Sequence, residues 1–157
     1  MGNTTKVLLI TAVSLLVVGL IIFVLVRNAE KFETNTYTIS KDFCGLTIQS
    51  DADIIFVPSN DGTCKVECFE GEKAKHSLSH TEDTLVIKMI NKKAWYDYIG
   101  IHFRSPKITV SLPQAEYAAL SIINSTGNIN MPKGFQFEGV NISLSTGNVD
   151  FSASASE

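Results

Sequence analysis

The chain is poor in the residues on which catalysis and disulfide bonding depend. It has three cysteines and three histidines among 157 residues, and three cysteines cannot form a fully paired disulfide framework. No serine stands in the Gly-x-Ser-x-Gly context that is typical of a serine-hydrolase nucleophile. We therefore predict a protein that is not an enzyme, with no catalytic residues, no bound cofactor and no metal site.

Positive charge is also scarce. The chain carries 13 Lys and Arg against 16 Asp and Glu, and two of the basic residues, Lys6 and Arg27, flank a hydrophobic run near the amino terminus. Residues 28–157 therefore carry 11 − 16 = −5. Nucleic-acid binders need a net basic surface, so we predict no nucleic-acid partner.

Long hydrophobic runs are absent except for one. Val7 to Val26 is a stretch of twenty residues without a charge, and as a helix it spans ~30 Å, the hydrocarbon thickness of a bilayer. A cleaved signal peptide has a shorter apolar region of ~7–15 residues and a small residue at the third position before the cut. A cut after Ala29 would place Arg27 there, so we predict a retained signal anchor, a transmembrane helix over residues 7–26.

The orientation of this helix depends on its flanks. Lys6 and the amino terminus nearly balance Arg27 and Lys31, but a leader of residues 1–6 stays in the cytoplasm easily and a large following domain translocates largely regardless of charge. We predict a single-pass protein with its N-terminus inside, residues 27–36 as a juxtamembrane linker, and an extracytoplasmic domain over 37–157. A cytoplasmic domain is the alternative.

Beyond Tyr37 the hydrophobic residues alternate with period two, which is typical of half-buried strands. The pattern covers residues 46–49, 85–87 and 108–112, and only residues 114–119 suggest a helical turn. This predicts an all-β domain.

An internal repeat is the strongest signal. Ser125, Thr126, Gly127 and Asn128 recur twenty residues later as Ser145, Thr146, Gly147 and Asn148. The apolar flanks match at the same offset, and a weaker copy runs from Leu46 to Phe56. Each copy predicts a strand, a tight corner at glycine and a second strand. Such units bury their apolar faces by stacking, so we predict a solenoid-like stack in which the eight corner residues are structural.

Several motifs together resemble one protein family. These are LxIxSxADIxFxP, TLVIK, WYDYIGI, ITVSLPxxEYxxLSI, STGNI and STGNV, which cover nearly all of 43–151. The chain is similar to the bacterial DUF4097, or toast-rack, family of adhesin-like proteins. The resemblance implies a stacked all-β fold, anchorage at the bacterial cell surface and no catalytic residues. Its members usually continue through further layers, so we expect this domain to be truncated at its C-terminal end, or else covered there by a partner or a polar cap.

The spacing Cys64-x3-Cys68 and His76-x3-His80 is similar to that of a zinc site. On a strand, however, Cys64 and Cys68 lie ~13 Å apart, too far to share an ion. Their alternation with apolar neighbours predicts that Cys44, Cys64 and Cys68 are buried free thiols. A disulfide from Cys44 to Cys64 or Cys68 is the alternative.

One segment mixes aromatic and basic residues, and we predict ligand contact there by Trp95, Tyr96, Tyr98, His102 and Arg104. Such residues stack on sugars or sit at membrane interfaces; alternatively, the aromatics close the β core.

The sequence thus predicts a non-enzymatic surface protein that binds or scaffolds, with a cell-wall or host glycan or an envelope protein as partner. One alternative is a membrane-tethered regulator of an envelope-stress response. The other is an enzyme whose active site cannot be recognised in the sequence or has been lost.

Overall fold

The computed structural model describes residues 2–27, 30–40, 43–94, 97 and 104–155. Helix α1 spans Asn3–Arg27 and contains the helix predicted at residues 7–26. Its Asn3–Val24 portion is long and apolar enough to cross a membrane, and none of that portion is buried against the rest of the protein.

Within these described residues, twelve strands follow the helix and form one curled sheet. In chain order they are β1 Phe32–Ile39, β2 Gly45–Ser50, β3 Asp53–Ser59, β4 Cys64–Gly71, β5 Ala74–Thr81, β6 Thr84–Asn91, β7 Lys107–Pro113, β8 Glu116–Thr126, β9 Ile129–Met131, β10 Gln136–Thr146, β11 Val149–Phe151 and β12 Ser154–Ala155. The sequence prediction of an all-β domain is confirmed.

The sheet folds into two walls. One wall has the order β11-β9-β3-β7-β4, and the other has the order β5-β6-β2-β8-β10-β12. They join where β4 turns into β5, because these strands share a single register pair, Gly71 with Ala74. Alternate residues of both walls form one buried hydrophobic cluster, which is the result expected for strands that expose one face and bury the other.

The layers of the stack follow the sequence repeat. β8 and β10 pair in parallel with an offset of twenty residues, so that Leu120 lies beside Val140 and Ile122 beside Ile142. β9 and β11 keep the same offset. The weaker copy also joins the stack, since β2 pairs with β8 and β3 pairs with β9. The predicted stacking of the repeat is confirmed.

Two local predictions differ from the structure. The polar stretch predicted as a linker over 27–36 contains the start of β1, which pairs with β4 along its whole length, from Phe32 beside Gly71 to Ile39 beside Cys64. The residues of β1 are exposed or only half-buried. Its sequence therefore alternates too weakly between hydrophobic and polar residues for the strand to be recognised. The helical turn suggested at 114–119 is wrong, because β8 begins at Glu116.

The corner glycines lie in backbone conformations that other residues rarely adopt. Gly127 has φ +123°, and a Cβ atom built on it would lie 2.6 Å from the carbonyl oxygen of Ala52 in the next layer. Gly147 has φ +136°, and its Cβ would lie 1.9 Å from the carbonyl oxygen of Gly127. The corners therefore require glycine both for the turn and for the close approach of the layers.

We predict that Gly127→Ala lowers the free energy of unfolding by about 2–4 kcal/mol, because it adds backbone strain to a steric clash. Gly139→Ala is the matched control, since its added Cβ would meet only the Ala118 carbonyl oxygen at 3.7 Å and should change stability by about 0.5 kcal/mol or less. Urea unfolding of the full-length protein in detergent measures both. Equal effects of the two substitutions would contradict the close approach at the corner.

Candidate functional site

The predicted ligand-contact segment is only partly described. Trp95, Tyr96, Tyr98 and His102 lie outside the described residues, and Arg104 is exposed. Ligand contact by these five residues therefore stays a prediction.

The start of this segment is held against the turn between β4 and β5. The backbone N–H of Lys92 donates to the carbonyl oxygen of Lys73 at 2.8 Å, and Lys73 Nζ contacts Asp97 Oδ1 at 2.5 Å. The N–H of Ala94 donates to Asp97 Oδ2 at 2.8 Å. The hydrogen bond from Lys73, followed by the one from Ala94, lowers the pKa of the Asp97 carboxyl group.

The repeat corners form a ladder of side-chain hydrogen bonds. Asp53 Oδ1 accepts the backbone N–H of Asn128 at 2.7 Å, and Asn128 Oδ1 accepts the backbone N–H of Asn148 at 3.1 Å. At both contacts between neighbouring corners, one polar side chain thus satisfies a backbone N–H of the next corner.

All of these corners lie at one end of the strands, which we call the corner end. It holds the starts of β1 and β7, the turn between β4 and β5, and the ends of β2, β6, β8 and β10. The opposite end, which we call the far end, holds the turns at 59–63, 82–83 and 113–116. A strand of eight residues such as β1 separates the two ends by ~26 Å.

A buried polar network crosses from one wall to the other. Glu70 on β4 and His76 on β5 place Oε2 and Nδ1 2.7 Å apart, and His76 Nε2 lies 2.9 Å from the hydroxyl oxygen of Ser50. Glu70 is 0% exposed, His76 4% and Ser50 7%. The amide of Asn35 on β1 donates to Glu70 Oε1 at 2.8 Å. A buried carboxylate is tolerated only when such donors surround it.

The order serine, imidazole, carboxylate is that of a hydrolase triad. The hydroxyl oxygen of Ser50 already accepts the backbone N–H of Ala52 at 3.1 Å, however, and the side chain is almost fully buried. A nucleophile needs access to a reacting carbonyl, so this geometry favours a structural role. The network could not be recognised from the sequence, because its members lie on four strands at spacings that carry no motif.

Cys68 lies beside this network. Its sulfur and ligand atoms of Glu70 and His76 are all within 4.8 Å of one another, whereas Cys64 and His80 of the zinc-like spacing are not part of the cluster. A metal ion here would have to displace the proton between His76 and Glu70. Burial, followed by the charge of Glu70, raises the pKa of the Cys68 thiol to about 12, which disfavours the thiolate that binds metals.

A family model described as Toastrack DUF4097 matches residues 44–155. The chain belongs to this family. No curated protein matches it. The Toastrack domain is also similar to solved structures, although at TM-scores that carry no argument about function.

Three such structures have bacterial sources. A putative adhesin from Bacteroides fragilis has a TM-score of 0.46 and 14% identity over 82% of this chain and 62% of its own. A putative cell adhesion protein from Clostridium sporogenes has a TM-score of 0.43 and 7% identity, over 80% of this chain and 100% of its own. A putative adhesin from Parabacteroides distasonis has a TM-score of 0.40 and 13% identity, over 80% of this chain and 56% of its own. The chain thus spans less than two thirds of the first and third proteins.

The cysteines of the Toastrack domain are free thiols, as predicted. Cys64 and Cys68 are buried, but the prediction that Cys44 is buried is wrong, because it is exposed. Cys44 precedes the first residue of β2, where the alternation of the strand does not yet apply.

We predict that His76→Ala lowers the free energy of unfolding by about 3–5 kcal/mol, because it leaves the Glu70 carboxylate buried without its partner. His80→Ala is the matched control, since His80 is exposed on the same strand and its loss should cost about 0.5 kcal/mol or less. Urea unfolding of the full-length protein in detergent separates them. A tolerated His76→Ala would show that the network does not stabilise the Toastrack domain.

Proposed function

We propose that this protein is a non-enzymatic binding or scaffolding protein of the bacterial envelope. Helix α1 serves as its signal anchor, and the Toastrack domain lies outside the membrane. The observation that supports this proposal is the short tether: only residues 28–31 separate the end of α1 at Arg27 from the start of β1 at Phe32.

The tether fixes which part of the Toastrack domain is near the anchor. β1 begins at the corner end and pairs with β4 over eight residues, so it cannot swing away without loss of those backbone hydrogen bonds. The corner end therefore stays close to the membrane. The far end, ~26 Å away along the strands, is free to meet a partner in the envelope.

The far end offers a groove with hydrogen-bonding side chains. It is lined by Pro58, Ser59, Asn60, Asp61, Thr63, Lys65 and Ser111. Hydrogen bonds from Ser59 and Thr63 lower the pKa of the Asp61 carboxyl group to about 2, so this group is ionised at physiological pH. Amide, hydroxyl, carboxylate and ammonium groups together suit the hydroxyl-rich surface of a polysaccharide, and we propose a cell-wall or host glycan as the partner.

Cys44 provides a test of the orientation. We predict that a membrane-impermeant maleimide labels the full-length protein in intact cells, because Cys44 is exposed whereas Cys64 and Cys68 are buried. Cys44→Ser should abolish this labelling, and detergent-permeabilised cells give the total accessible thiol. Labelling of Cys44 only after permeabilisation would place the domain in the cytoplasm and contradict the proposal.

A glycan array probed with the full-length protein in nanodiscs tests the binding. We predict that Asn60→Ala with Lys65→Ala weakens retention on the bound glycan, because both residues line the groove. Trp95→Ala and Tyr98→Ala test the contact that the sequence predicts, which stays a prediction. Loss of binding by these variants, with the groove variant unaffected, would move the site from the groove to the segment that contains Trp95 and Tyr98. Absence of binding to every glycan would contradict the proposed partner.

A further inference from the structure

Strand β1 is the element through which α1 is joined to the sheet, since only residues 28–31 lie between them. Among the described strands β1 pairs with β4 alone, whereas β4 is also paired with β7 over residues 65–69. β4 is therefore held on both of its sides and β1 on one. Tension that comes from α1 passes into the sheet through the β1–β4 pair until that pair separates.

The two strands are oriented so that tension would enter them at opposite ends. β1 starts at the corner end with Phe32, and β4 starts at the far end with Cys64, which pairs with Ile39 at the end of β1. The groove proposed for the partner includes Thr63 and Lys65, at the start of β4. A partner bound there pulls on the start of β4 while α1 pulls on the start of β1.

The line between these two points of attachment runs along the strands. Under tension that line aligns with the pull, whatever the angle between α1 and the sheet. Hydrogen bonds between antiparallel strands are perpendicular to the strands, so the pull loads the β1–β4 pair in shear. All eight register pairs, from Phe32 with Gly71 to Ile39 with Cys64, then have to separate together, whereas peeling from one end separates them one at a time.

Side chains on the buried face of β1 add to the resistance. Tyr37 and Ile39 pack against the hydrophobic cluster, and the amide of Asn35 donates to Glu70 Oε1 at 2.8 Å. Glu70 is 0% exposed, so sliding of β1 along β4 would leave a buried carboxylate oxygen without this donor. The loss of such a partner is costly, and the buried network therefore opposes the first step of the separation.

We infer that β1 and β4 form a mechanical clamp, which carries tension between a partner bound at the far end and α1 in the membrane. This inference rests on the proposed function, because the anchor and the groove give the direction of the tension. β1 lies before residues 44–155, which match the Toastrack family model. The clamp thus joins the anchor to the part of the chain that has the family fold.

Force spectroscopy of the full-length protein in detergent tests the clamp. All variants carry Cys44→Ser, so that thioether-linked handles attach only at introduced cysteines, because Cys64 and Cys68 are buried.

Two pairs of handles load the same strands in different directions. Arg27→Cys with Asn60→Cys pulls β1 and β4 from opposite ends, whereas Arg27→Cys with Glu72→Cys pulls them from the same end. Asn60 and Glu72 are both exposed in turns that flank β4. We expect a rupture force that is several times higher for the opposite-end pull. Equal rupture forces in the two directions would overturn the clamp.

A cross-link identifies the contact that breaks. Thr36 and Glu67 are register partners, so Thr36→Cys with Glu67→Cys should form a disulfide that holds β1 on β4. Separation of β1 frees residues 32–44, which span ~45 Å when extended, in place of the ~26 Å of the folded strand. This step should disappear in the oxidised variant and return on reduction. A step of unchanged force and length in the oxidised variant would show that another contact carries the load.

The contribution of the buried network has its own matched pair of variants. Asn35→Ala removes the donor to Glu70 and should lower the rupture force of the opposite-end pull. Thr34→Ala changes an exposed residue of the same strand and should leave that force unchanged. Equal forces in these two variants would overturn the role of the network in the clamp.

These measurements separate the clamp from the proposed function. Neither a glycan nor an intact cell membrane enters them, so a failure of the proposed partner or of the proposed orientation leaves the rupture forces unchanged. Conversely, equal forces in the two pulling directions overturn the clamp and leave glycan binding and the labelling of Cys44 as they are.

Discussion

The close approach of one layer to the next at the corners is the constraint on which the fold depends. Parallel strands in neighbouring layers lie about 4.8 Å apart, and the chain must reverse direction between the walls without moving the layers apart. Gly127 and Gly147 make this possible because a side chain at either position would meet the backbone of the adjacent corner. With the corners in contact, residues one repeat apart are aligned across the layers, so Leu46, Leu120 and Val140 fall in one row. The hydrophobic cluster follows from that alignment.

The first layer of the stack is built differently. There β4 passes into β5 with one shared register pair, and no Ser-Thr-Gly-Asn corner is present at this turn. The buried network of Glu70, His76 and Ser50 lies at this point and links β4, β5 and β2. Directional hydrogen bonds fix the relative position of strands that diverge, which hydrophobic contacts do less specifically. A network of this kind is costly when incomplete, and Asn35 from β1 contributes to its completion.

The parts of the structure that the sequence predicts are those where one local pattern is repeated or strictly alternating. The corners at Gly127 and Gly147 have identical residues and matched flanks, so their stacking in register could be predicted. β1 could not, because an edge strand that pairs on one side and stays half-exposed carries little hydrophobic alternation. The polar network could not be predicted from the sequence either, because Ser50, Glu70 and His76 meet only through the pairing of strands that are distant in the chain. The predicted burial of Cys44 is wrong for a related reason, because Cys44 lies one residue before the start of β2 at Gly45, and the alternation of that strand does not apply to it.

Attachment of helix α1 at the ends of the strands has a consequence for the surface that the protein presents. Layers are added perpendicular to the strands, so further layers widen the stack without moving its far end away from the attachment point. The distance from the corner end to the far end depends on strand length, ~26 Å for the eight residues of β1. With α1 in a membrane and the strands upright on it, as proposed above, this length would set the height of the groove at Asp61 above the bilayer. A partner would then meet the far ends of all layers at a similar height, which suits an extended polymer lying parallel to the membrane.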